Sequence, residues 1–411
     1  MKKYLNKNHY KEILTPSILV TGIFLILTII SPKIKLFLPI IVISIIFEFI
    51  YLKEVFTIRK QQILIMCFMC VVVISMLMAK EQFSMNYIFP YMAFGGFYVL
   101  VTLKSYTSKQ LNYFSHCIEL GGILACLLII INGKAYYGQE LRYTIILATG
   151  PQDPNFTSIL LCLPLIVFLL RVYYNPNKFN CIICSTGALL LMFTIVLTGS
   201  RTGMIALTMI IITMFISALL KYKKEKKIKL TWGKVIVILV IVAIILSTII
   251  LILPDQIIGR IFNYNNLYQY DNSSIIAGSP RLNIWINAIE ILFHRPIVGF
   301  GLGMNDYYLL QHSGLITALH NTFIDVWFQF GIIGFVMYIY IFFNFVKCIF
   351  ITKCYPLTTL IFVLLVGCMF LDMFYGREIW IILMTLSLYL NYIKDSNMSI
   401  KSVFGGNSCE C

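Results

Sequence analysis

Charge is what this chain of 411 residues has least of. Only 12% of its residues are Asp, Glu, Lys or Arg, and just 17 are acidic. Soluble domains carry about 25% charged residues and need that polar surface to cover themselves. A cytosolic enzyme, a secreted domain and a disordered chain are excluded. Strand-like alternation of polar and apolar residues is also missing, which excludes a membrane β-barrel. What is present is apolar sequence in long unbroken runs, 60% hydrophobic overall with a mean hydropathy of +0.88. The reading is an all-α polytopic membrane protein. The net charge of +15 does not indicate nucleic acid, because the cations lie between apolar runs and not along a polar face. Most of the twelve Cys lie inside apolar runs, where Cys acts as a small hydrophobe. Cys181-x-x-Cys184 has no second Cys or His pair at metal spacing. No metal and no cofactor are expected.

About twelve spans of bilayer length are predicted. They run over 13–31, 36–52, 63–79, 87–103, 117–132, 155–171, 181–199, 203–220, 235–253, 322–346, 355–373 and 378–393. The first run lacks a small-residue cleavage site and reads as an uncleaved span. With the N-terminus inside, about two thirds of the 32 Lys and Arg fall on the cytoplasmic side. Both termini are therefore expected in the cytoplasm of a cell-membrane protein, with 221–234 as a basic cytoplasmic loop touching anionic lipid. The chain is read as one integral membrane domain over 1–411.

One outer segment, 254–321, is far longer than the other connections, and long connections in compact proteins are usually functional. Within it Ser279 and Pro280 open a helix. Leu282, Trp285, Ile286, Ile289, Leu292 and Phe293 recur at helical spacing, and Pro296 stops the run. This predicts an amphipathic helix along the outer membrane surface. Tyr264–Ser274 ahead of it reads as an exposed loop. A second outer loop, 133–154, carries Arg142 and Asp153 and leads to Asn155.

Outward-facing arginines run against the positive-inside bias, so each needs a reason. Arg201 lies in a connection of a few residues at the outer boundary. A guanidinium there is either an anion clamp, forked onto phosphate oxygens, or an arginine snorkelling to headgroups or a nearby carboxylate. His320 stands just before a long span and is either a base for a hydroxyl proton or a structural residue. Asp325 follows at i+5 as a group that could orient it. Gly299, Gly301 and Gly303 superficially resemble a nucleotide loop, but no strand precedes them and no Lys follows. They read as tight turns that let backbone approach a ligand or a neighbour. Glu48 and Glu119 are acids within spans, which raises ion-coupled transport as the competing class. Asp372, Arg377 and Glu378 read as a local cluster at a short outer turn.

Together these residues resemble the O-antigen ligase and polymerase superfamily. Thr198-Gly199-Ser200-Arg201-Thr202-Gly203 is similar to its Ser-Arg-Gly segment, with Thr202 intervening here. Arg281…Trp285…Ala288 with Pro296-x-x-Gly299-Phe300-Gly301-Leu302-Gly303, and His320-Asn321-Thr322-Phe323…Gly331-Ile332-Ile333-Gly334, also resemble the family. So does Asp153-Pro154-Asn155-Phe156 at the start of a middle span. The likeness covers about residues 140–345.

The resemblance implies a GT-C-like membrane glycosyltransferase that uses an undecaprenyl-diphosphate-linked oligosaccharide as donor and another as acceptor on the outer face. It gives Arg201 and Arg281, with Arg142 as a third, a diphosphate-binding role. His320 becomes the base, and Asn321, Asp325, Gly301, Gly303 and Asn155 support the site. Membrane lipid, a chain-length regulator and a flippase are the expected partners. Richness in Ile, Lys, Asn and Tyr suggests an AT-rich genome and a cell without a lipopolysaccharide core. That puts a Wzy-type repeat-unit polymerase of capsule, O-antigen or exopolysaccharide first and a ligase-type glycan transferase second. A protein O-glycosyltransferase comes behind them, because 411 residues leave no appended soluble domain. A flippase is the alternative from another class, opposed by charges that gather at the outer rim.

Overall fold

A computed structural model describes residues 15–30, 43, 46, 57–78, 85–137, 140–147, 150–175, 177–225, 280–314, 318–374, 376–396 and 398–405. The expected span 36–52 (positions 43 and 46 apart), the span 235–253, the basic loop beyond residue 225 and the outer segment before residue 280 lie outside the described residues. Glu48 and the expected cap Ser279 lie there too.

The described chain is mostly helical. α1 Pro16–Ile30, α2 Lys60–Met78, α3 Met85–Leu103 and α4 Ser108–Asn132 come first. Two small antiparallel hairpins follow, β1 Lys134–Tyr137 with β2 Glu140–Tyr143 and β3 Ile146–Leu147 with β4 Gly150–Pro151. Then come α5 Pro154–Tyr174, α6 Lys178–Leu197, α7 Arg201–Glu225 and α8 Pro280–Leu292. α9 Asn305–Ser313, α10 Thr322–Thr352, α11 Thr358–Phe370 and α12 Arg377–Ser396 complete the order. Among the described residues α4, α5, α6, α7 and α10 are long and apolar enough to cross a bilayer, and shorter apolar helices accompany them. The protein is a multi-pass helical membrane protein.

Helices pair as α1 on α4, α5 on α6 and α7, α7 on α11, and α10 on α2. Every residue of α12 from Arg377 to Tyr392 is buried. A helix buried all round sits inside a bundle and not against lipid. Two of its polar side chains are matched across the bundle: Ser387 Oγ meets Tyr98 OH at 2.6 Å and Tyr389 OH meets Ser115 Oγ at 2.8 Å. Unmatched, each such group would cost about 1–3 kcal/mol. The expected span 117–132 begins earlier, at Ser108, because Thr107 and Gln110 form a capping box. The loop 133–154 is built of hairpins instead of irregular chain.

The acid Glu119 lies within α4, and it is paired. Arg171 of α5 forks onto it at 2.7 and 3.2 Å. Charge neutralised in this way is a structural tie between two helices and gives no support to ion coupling.

α8 forms where expected, and it carries apolar residues on two sides. Ile284, Ala288, Ile291 and Leu292 point inward and pack with Phe300, Met304, Leu309, Leu319 and Phe328. Leu282, Ile286 and Phe293, predicted for the apolar face, are exposed. Apolar residues occupy both sides, and the tertiary contact with α9 and α10 selects the inward one.

α10 is broken. Gly331 takes φ 64° and ψ −169° inside the helix. The break frees carbonyls that a lipid environment cannot satisfy. The segment after α8 satisfies them: Phe300 N–H donates to Phe328 O and Gly301 N–H to Gln329 O, both at 2.9 Å. Ile332 N–H returns a bond to Pro296 O at 2.9 Å. The glycines at 299, 301 and 303, all at positive φ, thus bring backbone against a neighbour, the broken helix. A Cβ on Gly331 would overlap the Ile297 carbonyl. Gly331→Ala combines left-handed strain with that overlap and should destabilise by about 3 kcal/mol or more. A fluorescence-detected size-exclusion melt in detergent checks this, with Gly96→Ala, which meets no atom within 4 Å, as the tolerated control.

Candidate functional site

At one end of the bundle the first turns of α5, α7, α8, α10 and α12 converge. The turn 198–201 explains the Ser-Arg-Thr-Gly segment residue by residue. Ser200 is the cap of α7, its Oγ accepting from Gly203 N–H at 3.0 Å. Arg201 is the first helical residue and is exposed. Gly203 lets α7 approach α5, since a Cβ there would stand 2.6 Å from Ser158 Cβ. The intervening Thr202 is buried and leaves this geometry intact.

Asn155, in the first turn of α5, ties the two helix starts together. Its Oδ1 accepts from Ser200 Oγ at 2.9 Å and from Arg142 Nη2 at 3.0 Å. Arg142 also donates to Thr198 O at 3.4 Å and is only 5% exposed. Arg142 therefore stands behind the turn and holds it, whereas Arg201 stands in front.

Arg281 opens α8 beside the same turn. Its Nη1 donates to Phe370 O at 3.1 Å, which leaves most of the guanidinium for other partners. Burial pulls its proton affinity below the ordinary arginine value; Asp153 opposes that and Arg201 adds to it. Asp153 caps α5, with its Oδ1 accepting from Asn155 N–H at 2.7 Å. Two cations and one carboxylate thus act on one another here.

His320 sits at φ 50°, a left-handed conformation that a histidine holds only at a cost of about 1–3 kcal/mol. Its neighbours enforce it. Trp285 Nε1–H donates to the preceding carbonyl of Leu319 at 2.7 Å. Asn321 caps α10, its Oδ1 accepting from Phe323 and Ile324 N–H at 3.0 and 3.1 Å. Thr322 N–H and Oγ1–H both donate to Leu371 O, and Met373 N–H donates to Thr322 Oγ1 at 2.9 Å. Burial lowers the His320 pKa below 6.5, Arg281 lowers it further, and Asp153 pulls it back up. The ring is therefore neutral at pH 7, the form that accepts a proton.

Asp325 does not orient His320. It is fully buried, its Oδ1 accepts from Gln329 Nε2 at 2.6 Å, and its carboxyl meets that of Asp372. Asp372 accordingly pairs with α10 and not with Arg377, which pairs with Glu378 at 3.3 Å. Gly303 N–H joins this group through Gln329 Oε1 at 2.8 Å. Gly301 and Gly303 thus act on the site through the frame of α10.

Arg201 acts electrostatically on Arg281, and Arg281 on His320, while Arg142, Asn155, Asn321 and Asp325 hold elements in place. Asp153 is the acid that faces His320, and sequence reading missed that role. The signal available was its position beside the conspicuous Asn155, but the 167 residues to His320 hide the contact. Asp153→Asn should lower the His320 pKa further, because it removes the one charge that favours imidazolium. An NMR titration of labelled histidine in nanodiscs measures this directly; an unchanged or raised value would contradict the geometry.

Comparison with known proteins concerns the same stretch of chain. Residues 186–339, which hold Arg201, Arg281 and His320, match the family model described as O-antigen ligase. The chain is also similar to a ComP-specific O-oligosaccharyltransferase of Acinetobacter baylyi, 26% identical over 181 residues. That stretch covers 42% of this chain and 30% of the relative. Over these residues the chain is similar to the O-antigen ligase superfamily.

Proposed function

We propose that the protein is a ligase-type glycan transferase that moves an oligosaccharide from a polyprenyl-diphosphate carrier to an acceptor hydroxyl. The observation that carries this reading is the meeting of Arg201, Arg281, Asp153 and His320 at one end of the bundle. The comparisons favour this transfer reading over the repeat-unit polymerase that the sequence put first. The site end faces outward across the cell membrane, both termini lie in the cytoplasm, and the chain crosses about twelve times as one membrane domain. This topology rests on the distribution of Lys and Arg. Undecaprenyl is the proposed carrier, and a GT-C-like architecture the proposed class.

The chemistry needs three things. The bond between the sugar C1 and the diphosphate oxygen breaks, and its electron pair leaves with the diphosphate. Arg201 and Arg281 neutralise the charge that develops there, and a second guanidinium is tolerated beside the first because the ligand carries more than one negative charge. The acceptor oxygen bonds to C1, and its proton passes to neutral His320. Asp153 then faces an imidazolium, whose charge it stabilises. The acceptor is a hydroxyl of a glycan or of a protein, the latter suggested by the relative's name.

The test uses purified protein in nanodiscs with an undecaprenyl-diphosphate oligosaccharide and separate glycan and protein acceptors. Wild type should release undecaprenyl diphosphate and form one defined conjugate. A ladder of repeat units would restore the polymerase, and donor moved across the bilayer uncleaved would indicate a flippase. His320→Ala should lower the rate by about 10²- to 10⁴-fold. Arg201→Lys should lower it by about tenfold or more, since an ammonium keeps the charge but not the fork. The acid limb of the pH–rate profile should lie below pH 6.5, because the His320 base is lowered and not raised.

A further inference from the structure

Arg377 is a costly residue in its place. It begins α12, only 5% exposed, at the helix end that repels cations. Glu378 pairs with its Nε at 3.3 Å, and its buried Nη1 has no partner among the described residues. Its remaining donor, Nη2–H, goes to Gln152 Oε1 at 2.8 Å. Gln152 is fixed on two other sides: its N–H donates to Ile145 O at 3.0 Å and its Nε2–H to Ile30 O at 3.1 Å. The residue after Gln152 is Asp153.

We propose that Arg377 and Gln152 form a buried strut whose task is to position Asp153 against His320 and Arg281. Two facts set this apart from ordinary packing. The strut joins the central helix to α1 through the Gln152 side chain, and the Gln152 backbone N–H ties the same residue to Ile145 ahead of the second hairpin. It also ends one peptide bond from the carboxylate that acts on the base. The charged groups facing Asp153 are Arg281, Glu378 and, through the base, His320. Arg377 and Gln152 touch no reacting atom in this scheme; both are positioning residues. The part that concerns turnover rests on the transfer reading above.

The experiment is a double-mutant cycle on the full chain in nanodiscs, comparing wild type, Gln152→Leu, Asp153→Asn and the double variant. Two readouts are taken, the acid limb of the pH–rate profile and the NMR pKa of His320. Gln152→Leu should move both to lower pH, in the direction of Asp153→Asn. In the Asp153→Asn background it should add no further shift. A Gln152→Leu protein with an unmoved His320 pKa, or with equal shifts in both backgrounds, overturns the strut. If Gln152→Leu does not fold, Arg377→Lys takes its place, since an ammonium cannot hold Glu378 and Gln152 in one planar fork. The same shift then supports the strut and its absence overturns it. A wild type inactive on the lipid-linked donor would sink the transfer reading alone, because the NMR titration still decides the strut.

Discussion

The satisfaction of backbone hydrogen bonds at the break in α10 is the constraint on which the site end depends. Inside a bilayer a broken helix survives only where protein supplies the missing partners. Here the 296–303 segment supplies them through Phe300, Gly301 and Pro296. The consequence reaches beyond local repair. The segment that mends α10 is continuous with α8, which begins with Arg281, and α10 is preceded by His320. Mending the break therefore helps to set how Arg281 and His320 lie relative to each other. Gln329 takes part twice, accepting Gly301 N–H on its carbonyl and Gly303 N–H on its side chain, and it passes the tie to Asp325.

The second constraint is electrostatic. Arg281 is half-buried, Arg201 stands nearby, and Asp153 supplies one negative charge between them and His320. Arg201 and Arg281 are like charges in a region of reduced dielectric, where they repel more than in water, so such a group is costly to hold together. The fold holds it by spending rigidity around it. Arg142, Asn155 and Ser200 fasten the turn below Arg201, and Thr322 fastens the start of α10 to residues 371–373.

Much of this was legible in the sequence, and the reasons differ by residue. Long apolar runs mark helices whatever their neighbours, so α5, α6 and α7 lie close to their predicted bounds. Ser200, Arg201 and Gly203 are adjacent in sequence and do their work in one turn, so their signal is local. The capping box of Thr107 and Gln110 was equally local and simply overlooked. Asp153, Gln152 and Asp372 were hidden for a physical reason: each matters through a partner more than forty residues away. One chain without its fold carries no record of such pairings. The split faces of α8 were hidden by a different cause, because a helix apolar on two sides does not say which side the fold will choose.

The arginines show why residue type alone does not assign a role. Arg142, Arg171 and Arg377 spend donors on protein acceptors in buried settings, so each works as a fastener. Arg281 spends one nitrogen on Phe370 O, which fixes its orientation while leaving donors for an incoming ligand. Arg201 stands exposed at the start of α7 on a turn that its own neighbours make rigid. A cation that stabilises developing charge gains most when it is already in place, because moving it during the reaction would consume part of what it contributes. Arg142 is a fastener of this kind at the site end: through Asn155 and Thr198 it holds the turn that carries Arg201.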